Sequence, residues 1–417
     1  MEFEGGGKKR KKEEDEDKKP YPKMKKESHR HDRQRGRSRH RSCKSRNERV
    51  EESRKRHRNY KKEEDKIRKK RKMIGFGTEQ GESKRGEKRK RENEEKCALS
   101  PSDFTYRREL GRGSFGKVML ATVGNKSARV AVKVIKKTRM TAERILEERN
   151  VLKAAGECPF LCPGLAAFQT PAHAFFVMPH VSGGNLSIIL KKEPCLDRHK
   201  VKFMSAEMVC GIQFLHRHGI IHRDLKPDNI LFERNGHVKI ADFGVVATNI
   251  FAGETTTGVI GSRIYMAPEV ILNQAYGPAA DWWSFGSVNY EMLSGRHPFF
   301  TGQEKELYND CVTTMEPRYP RSFAAVTHDF LSKLLTKDPK VRLGVNGDIR
   351  GHPFYSGIDW KNLEAKKIPP PYQPRVSYGD LTSECREESL SFLNDSNTSE
   401  YTENIPGLSF TSHKWRD

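Results

Sequence analysis

His222-Arg223-Asp224-Leu225-Lys226-Pro227-Asp228-Asn229, followed thirteen residues after Asn229 by Asp242-Phe243-Gly244, organises the reading of the whole chain. Asp224 can accept a hydrogen bond from an attacking hydroxyl and orient it, and Lys226 can neutralise an anion in transit. Asn229 and Asp242 offer hard oxygen ligands of the kind Mg²⁺ takes. Asp, Asn, Pro and Gly are also turn formers, so none of these residues says much alone.

The upstream sequence gives them company. Gly111-Arg112-Gly113-Ser114-Phe115-Gly116 is a weak pattern by itself, because dinucleotide-binding turns and ordinary loops contain it too. A dinucleotide turn requires a helix to open at the third glycine. Instead Lys117-Val118-Met119-Leu120-Ala121-Thr122 reads as strand, and so does Arg129 to Ile135, which carries Lys133 on the same face as Ala131 and Ile135. A lysine on such a face is costly to bury without an anion. The helical spacing over Thr141 to Leu152 supplies one, since Ile145, Glu148 and Leu152 share a face; Glu147 is left to solvent. Glycine turn, Lys133, Glu148, Asp224, Asn229 and Asp242, in that order, meet the requirements of phosphoryl transfer assisted by Mg²⁺.

Charge divides the 417 residues. Residues 1–99 hold 38 Lys+Arg against 21 Asp+Glu, and the remainder holds 40 against 34. The basic arm, with Lys8 to Lys12, the Arg/Ser/His tract Arg35 to Arg46 and Lys69 to Lys72, has almost no aliphatic residues to bury and is expected to be disordered. Its density of cations suits salt-sensitive, sequence-independent contact with nucleic acid, or nuclear import through Lys8–Lys12 and Lys84–Arg91. From Phe104 the apolar patterning of a folded domain begins, and about 250 residues leave room for two lobes. After Ile368-Pro369-Pro370-Pro371 a polar tail runs to Asp417, with Ile405, Leu408 and Phe410 needing a groove to cover them. No run of 18 apolar residues and no signal-peptide core is present, and the eight cysteines lack zinc spacing. A cytoplasmic or nuclear location is expected.

Over Phe104 to Phe354 the sequence resembles the eukaryotic protein kinases, with Ala267-Pro268-Glu269 and Asp281-Trp282-Trp283-Ser284-Phe285-Gly286 in the family's order. Within them it resembles the branch of protein kinases A, B and C, and most of all the novel, delta-like protein kinase C catalytic domain. The resemblance implies an α+β bilobal fold, a small β-rich lobe and a large helical lobe, behind a basic arm at 1–99, with the kinase domain at 104–354 and a branch-type tail at 355–417. It implies a serine/threonine kinase using ATP and Mg²⁺. Leu110, Gly111, Gly113, Ser114, Phe115, Gly116, Val118 and Ala131 would cover the nucleotide, with Lys133, Glu148, Met178, and main-chain groups near Pro179 and Val181. Asp224, Lys226, Asn229 and Asp242 would be the catalytic set, Asn229 and Asp242 the metal ligands. Asp281 would brace the catalytic loop, and Arg342 would pair with Glu269. In the tail, Ser391 and Ser409 match phosphorylated positions, and the last aromatic would dock beside the helix bearing Glu148.

Departures from the pattern set further expectations. Gly258 stands at the activation-loop phosphothreonine, with Thr255, Thr256 and Thr257 just before it. Either a neighbour substitutes, with Thr257 the candidate acceptor for an upstream kinase, or the loop is ordered some other way; Arg223, without a phosphate, needs another partner, for which Glu254 is the candidate. Asn185 replaces an acidic residue while Asp228 and Glu291 remain, so preference for basic residues near the target serine is expected but weakened. Arg263-Ile264 before Tyr265 also departs from the branch. The lipid-binding modules of protein kinase C have no counterpart in 1–99. Two further readings stand beside the active kinase: a kinase-fold scaffold of weak activity, and a nucleic-acid-associated protein acting through its arm. Oligomeric state has no signal.

Overall fold

The computed structural model describes residues 99–113, 115–124, 128–251, 253–299, 305–374 and 404–415. The basic arm up to residue 98, Ser114 and Ser391 lie outside the described residues.

The first lobe is an antiparallel sheet. Strands β1 (Phe104–Arg112), β2 (Gly116–Val123), β3 (Arg129–Lys136), β4 (Ala166–Gln169), β5 (His173–Pro179) and β8 (Phe410–Thr411) lie in the order β1-β2-β3-β5-β4-β8. The strict alternation in β3 explains why both faces have a purpose. Val130, Val132 and Val134 point into one apolar cluster with Met119, Phe175 and Val177. Ile135 belongs to the other cluster, with Phe176, Ile145 and Leu152. Lys133, half-buried, shares the second face and pairs in register with Val118 and Phe176.

Helix α1 (Ala142–Ala154) packs on that second face. Thr141 caps it by accepting from the Arg144 N–H at 3.4 Å. Ile145, Glu148, Val151 and Leu152 are its buried residues, the stripe that the i, i+3, i+4 spacing predicts.

The second lobe is helical. α2 (Leu186–Lys192) is followed by α3 (Arg198–Arg217), whose apolar residues from Val201 to Leu215 are almost all buried. A short hairpin, β6 (Ile230–Phe232) with β7 (Val238–Ile240), carries the catalytic stretch to Asp242. Then come α4 (Pro268–Ile271), α5 (Ala279–Ser294), α6 (Lys305–Thr314), α7 (Ala325–Leu334) and α8 (Trp360–Glu364). Helix α5 buries Trp282, Trp283 and Phe285, and places Asp281 in its first turn with no exposure. Among the described residues no helix is long and apolar enough to cross a membrane.

The tail returns to the first lobe by adding a strand. β8 pairs Ala166 with Thr411 and Ala167 with Phe410 on the edge strand β4, and buries Ile405 and Leu408. Phe410 lies beside α1, with the Arg149 guanidinium 5.5 Å from its ring centre. The chain then turns so that Trp415 meets Phe104, ring centres 6.1 Å apart. An unpaired sheet edge is a template for another strand, and here the chain's own tail occupies it.

Candidate active site

A cleft of about 1520 Å³ lies between sheet and helices. Its lining includes every described residue expected to cover a nucleotide: Leu110, Gly111, Gly113, Phe115, Gly116, Val118, Ala131, Lys133, Glu148, Met178 and Val181. The same wall holds Asp224, Lys226, Asn229 and Asp242.

Lys133 is the centre of the upper half. Its Nζ donates to Glu148 Oε1 at 2.6 Å and to Asp242 Oδ1 at 2.8 Å. Strand β3, helix α1 and the Asp242 turn are thereby joined at one ammonium group. Its charge holds the Asp242 carboxyl down at about 2, against the opposing effect of burial. Burial also works against charge on Lys133, but Asp242 and Glu148 outweigh it and raise its pKa. Burial pushes Glu148 up, with Lys133 opposing; the geometry of the triad favours a charged Lys133. Glu148 Oε2 is buried with no partner among the described residues.

The lower half is a tight hydrogen-bonded group. Asn229 Nδ2 donates to the Asp224 carbonyl at 2.8 Å and to Asp224 Oδ2 at 3.1 Å. Lys226 Nζ lies 2.8 Å from Asp224 Oδ2 and donates to Ser262 Oγ at 2.7 Å. The Ser262 N–H donates to Asp224 Oδ1 at 2.7 Å. Ser262 was not singled out from the sequence, because nothing in local spacing ties residue 262 to residue 224. Gly261 beside it lets the two segments meet: its φ is +114°, and the Arg223 carbonyl oxygen lies 2.2 Å from where a Cβ would sit, so no side chain is admitted.

Asp281 braces the loop from below. Its carboxylate accepts the N–H groups of His222 and Arg223, both at 2.9 Å, and contacts His216 Nε2 at 2.8 Å. Those contacts lower its pKa although burial opposes them. Arg223, whose N–H is fixed by Asp281, and Asp242, whose carboxylate is fixed by Lys133, both lie in left-handed backbone, at φ 67° and 66°, a conformation that a non-glycine residue keeps only when its surroundings over-determine it. Glu269 and Arg342 form a buried bidentate pair, 2.6 and 3.0 Å.

Two expectations are corrected. Arg223 does not turn to Glu254, whose carboxylate instead accepts the Phe251 N–H at 2.8 Å. The guanidinium donates to the carbonyls of Val245 and Val246 at 2.6 and 2.7 Å and reaches the Tyr276 hydroxyl at 3.5 Å. Backbone carbonyls near a charged residue leave no mark in a sequence. Glu147 is likewise not a purely solvated charge: it accepts from Thr248 Oγ1 at 3.2 Å. Thr257 is exposed, and Thr256 beside it exchanges two backbone hydrogen bonds with Tyr276, 2.8 and 2.9 Å. Ser409 is exposed next to Phe410.

The arrangement suits transfer of a charged group: a cation held by two carboxylates, and across the cleft an oriented carboxylate with a second cation beside it. Comparison with known proteins points the same way. The protein kinase domain family matches residues 104–355. Protein kinase C delta type of Mus musculus is 42% identical over 289 residues, covering 68% of this chain and 42% of that protein. Protein kinase C of Drosophila melanogaster is 41% identical over 288 residues, 67% of this chain and 39% of that protein. Protein kinase C-like 1 of Caenorhabditis elegans is 40% identical over 283 residues, 66% and 40%. The chain spans about two fifths of the length of these relatives. With the family match covering more than half its length, the chain belongs to the protein kinases, and its catalytic region is of the serine/threonine, protein kinase C-like kind.

Proposed function

We propose that the chain transfers the γ-phosphate of ATP to serine or threonine hydroxyls of protein substrates. The observation that carries the reading is the Lys133 triad facing the Asp224–Lys226–Asn229–Ser262 group across one cleft. Asp224 is the acceptor of the substrate hydroxyl's hydrogen bond, since Asn229 and Ser262 hold both of its oxygens in place. Lys226 is the cation for the group in transit, and Lys133 is the cation for the phosphates that remain.

The donor set fits Mg²⁺. Asn229 uses only its Nδ2 in the loop, which leaves its oxygen available, and Asp242 keeps one oxygen clear of Lys133. Among the described residues no cluster of three or more His, Cys, Asp or Glu could hold a metal ion. One Asn and one Asp, with water and phosphate completing the shell, is what Mg²⁺ accepts and zinc does not. When bound, the ion would neutralise the phosphate oxygens.

Substrate preference follows from two carboxylates. Glu291 accepts from Tyr265 at 2.7 Å; burial, and to a lesser degree the like charge of Asp228, push its pKa above the ordinary value although the Tyr265 hydrogen bond opposes them. Neither Asp228 nor Glu291 has an ion-pair partner among the described residues. An arginine or lysine near the target residue would relieve them. Asn185 is neutral and already caps α2, accepting from the Ile188 N–H at 2.9 Å, so this preference is weaker than an added carboxylate would make it. Action in the cytoplasm or nucleus, an upstream kinase acting on Thr257, Ser391 or Ser409, and nucleic-acid contact by the arm belong to the same proposal. A purely scaffolding chain has no need of the Lys133 triad.

The test is phosphate transfer to a basic serine peptide with ATP and Mg²⁺, beside the Asp224→Asn variant and a nucleotide-binding control. Transfer is expected and should fall by two orders of magnitude or more in the variant, the range for a general base. Nucleotide binding without transfer in the unaltered chain would overturn the reading.

A further inference from the structure

Arg263 stands beside the catalytic group and has no part in it. We infer that Arg263 is a specificity determinant, selecting protein substrates with a carboxylate side chain within two residues of the acceptor hydroxyl. The inference rests on the kinase reading above and adds a substrate feature to it.

Its place is fixed by its neighbour. Ser262 gives its N–H to Asp224 Oδ1 at 2.7 Å, and its hydroxyl accepts from Lys226 Nζ at 2.7 Å. Residue 263 therefore starts about 3.8 Å further along the chain, the spacing of consecutive Cα atoms, while an extended peptide advances about 3.4 Å per residue. A substrate whose hydroxyl meets Asp224 lays its adjoining residues within reach of a side chain as long as arginine.

The guanidinium is held but not neutralised. Arg263 is exposed, and its Nε donates to Asn309 Oδ1 at 3.1 Å, a neutral acceptor. No carboxylate pairs with it among the described residues. The two terminal nitrogens keep the forked donor geometry that matches a carboxylate. This segment is also pinned on both sides: Tyr308 donates to the Ile264 carbonyl at 2.6 Å, and Ser284 to the Tyr265 carbonyl at 2.7 Å. A positioned cation loses less entropy on binding than a free one.

The opposite sign lies close by but apart. Asp228 and Glu291 attract a basic side chain, and neither pairs with Arg263. A docking surface with separate positive and negative points fixes the register of a peptide carrying the complementary pair, and penalises the reversed one.

The experiment uses the full chain, a serine peptide otherwise neutral near the serine, and four derivatives with a single Glu one or two residues before or after it. Both kcat/KM for transfer and peptide affinity by fluorescence anisotropy are measured, the second without turnover. One placement of Glu should raise both quantities about fivefold, the size an exposed ion pair supports. Arg263→Gln should return that ratio to about one. Arg263→Glu should make the chain prefer Lys at the same placement, an inversion that a merely structural arginine would not produce. The inference is overturned if no placement improves on the neutral peptide, or if the preference survives in Arg263→Gln. Absence of transfer to every peptide would sink the kinase reading, and the affinity ratios would still decide the role of Arg263.

Discussion

Replacing Gly258 by alanine should destabilise the protein, although there is ample room for the added methyl group. A Cβ at that position would find Ile260 Cδ1 at 3.6 Å and Cγ1 at 3.7 Å, ordinary van der Waals contact. The cost is conformational: φ is +103°, where an L-residue is strained by about 1–2 kcal/mol. Gly156 is the control, because its φ is not in the positive range and nothing lies within 4 Å of its Cβ position. Gly→Ala there removes unfolded-state freedom and should stabilise by about 0.4–1 kcal/mol. At roughly 2 °C per kcal/mol for a domain of this size, thermal unfolding of the two variants should shift Tm in opposite directions, by about 2–4 °C down and 1–2 °C up. Gly258→Thr, which restores a phosphorylatable side chain, should lose at least as much as Gly258→Ala, since β-branched residues tolerate positive φ worst. Equal Tm values for Gly258→Ala and Gly156→Ala, or a gain for Gly258→Thr, would refute the claim that this glycine is kept for its backbone.

Three further outcomes are expected. Asp242, held near 2 by Lys133, contributes stability that is present above the ordinary carboxyl value of 3.8 and is lost as pH falls from about 4 towards 2. Its side chain is 51% exposed, so solvent screening reduces the roughly 2 kcal/mol implied by the shift to about 1 kcal/mol; urea unfolding at pH 5 and pH 3 should show a loss that Lys133→Met no longer shows. Leu408→Ala removes a fully buried side chain from the tail's anchor and should cost about 2–5 kcal/mol if the tail stays docked, or expose the tail to limited proteolysis if it does not. Tyr276→Phe takes away the hydroxyl that donates to the Gly258 carbonyl at 3.0 Å and lies 3.5 Å from Arg223; a loss of about 1 kcal/mol in Tm-derived stability is expected, and an unchanged Tm would mean that the hydroxyl is not engaged.

What could be read in advance was whatever the chain encodes locally. Alternation in Arg129 to Ile135 put Lys133 on the cleft face, and the helical stripe separated Glu148 from Glu147, because strand and helix periods act within a few residues. The catalytic loop was legible for the same reason: its four functional side chains lie close in sequence or within one hairpin. Contacts across long separations were legible only where the family resemblance supplied them, as for Arg342 with Glu269 and Asp281 with the catalytic loop. Ser262 reaches Asp224 over 38 residues, and Thr248 reaches Glu147 over 101. The tail's groove was expected from its apolar residues, but not that β8 would extend the sheet at β4, nor that Trp415 would cover Phe104. Edge pairing is made by backbone groups that every residue carries, so it has no composition to read.

The same limitation explains Arg223. Seen from the sequence, an arginine facing a glycine where a phosphothreonine belongs is a charge without a counter-ion, and a buried charge of that kind costs several kcal/mol. In the fold it meets two main-chain carbonyls and a tyrosine hydroxyl, which spread the compensation over dipoles instead of a formal charge. Tyr276 then does for the loop what a phosphate would do from outside. Its hydroxyl holds the Gly258 carbonyl, and its main chain exchanges two hydrogen bonds with Thr256. The chain from Thr256 to Gly258 is thus fastened to the helical lobe at three points within three residues, and the left-handed turn at Gly258 is what lets the carbonyl point at Tyr276 while Thr256 stays in register. Glycine at 258 and tyrosine at 276 therefore form one device for ordering the loop, and a change at either position should loosen the same segment.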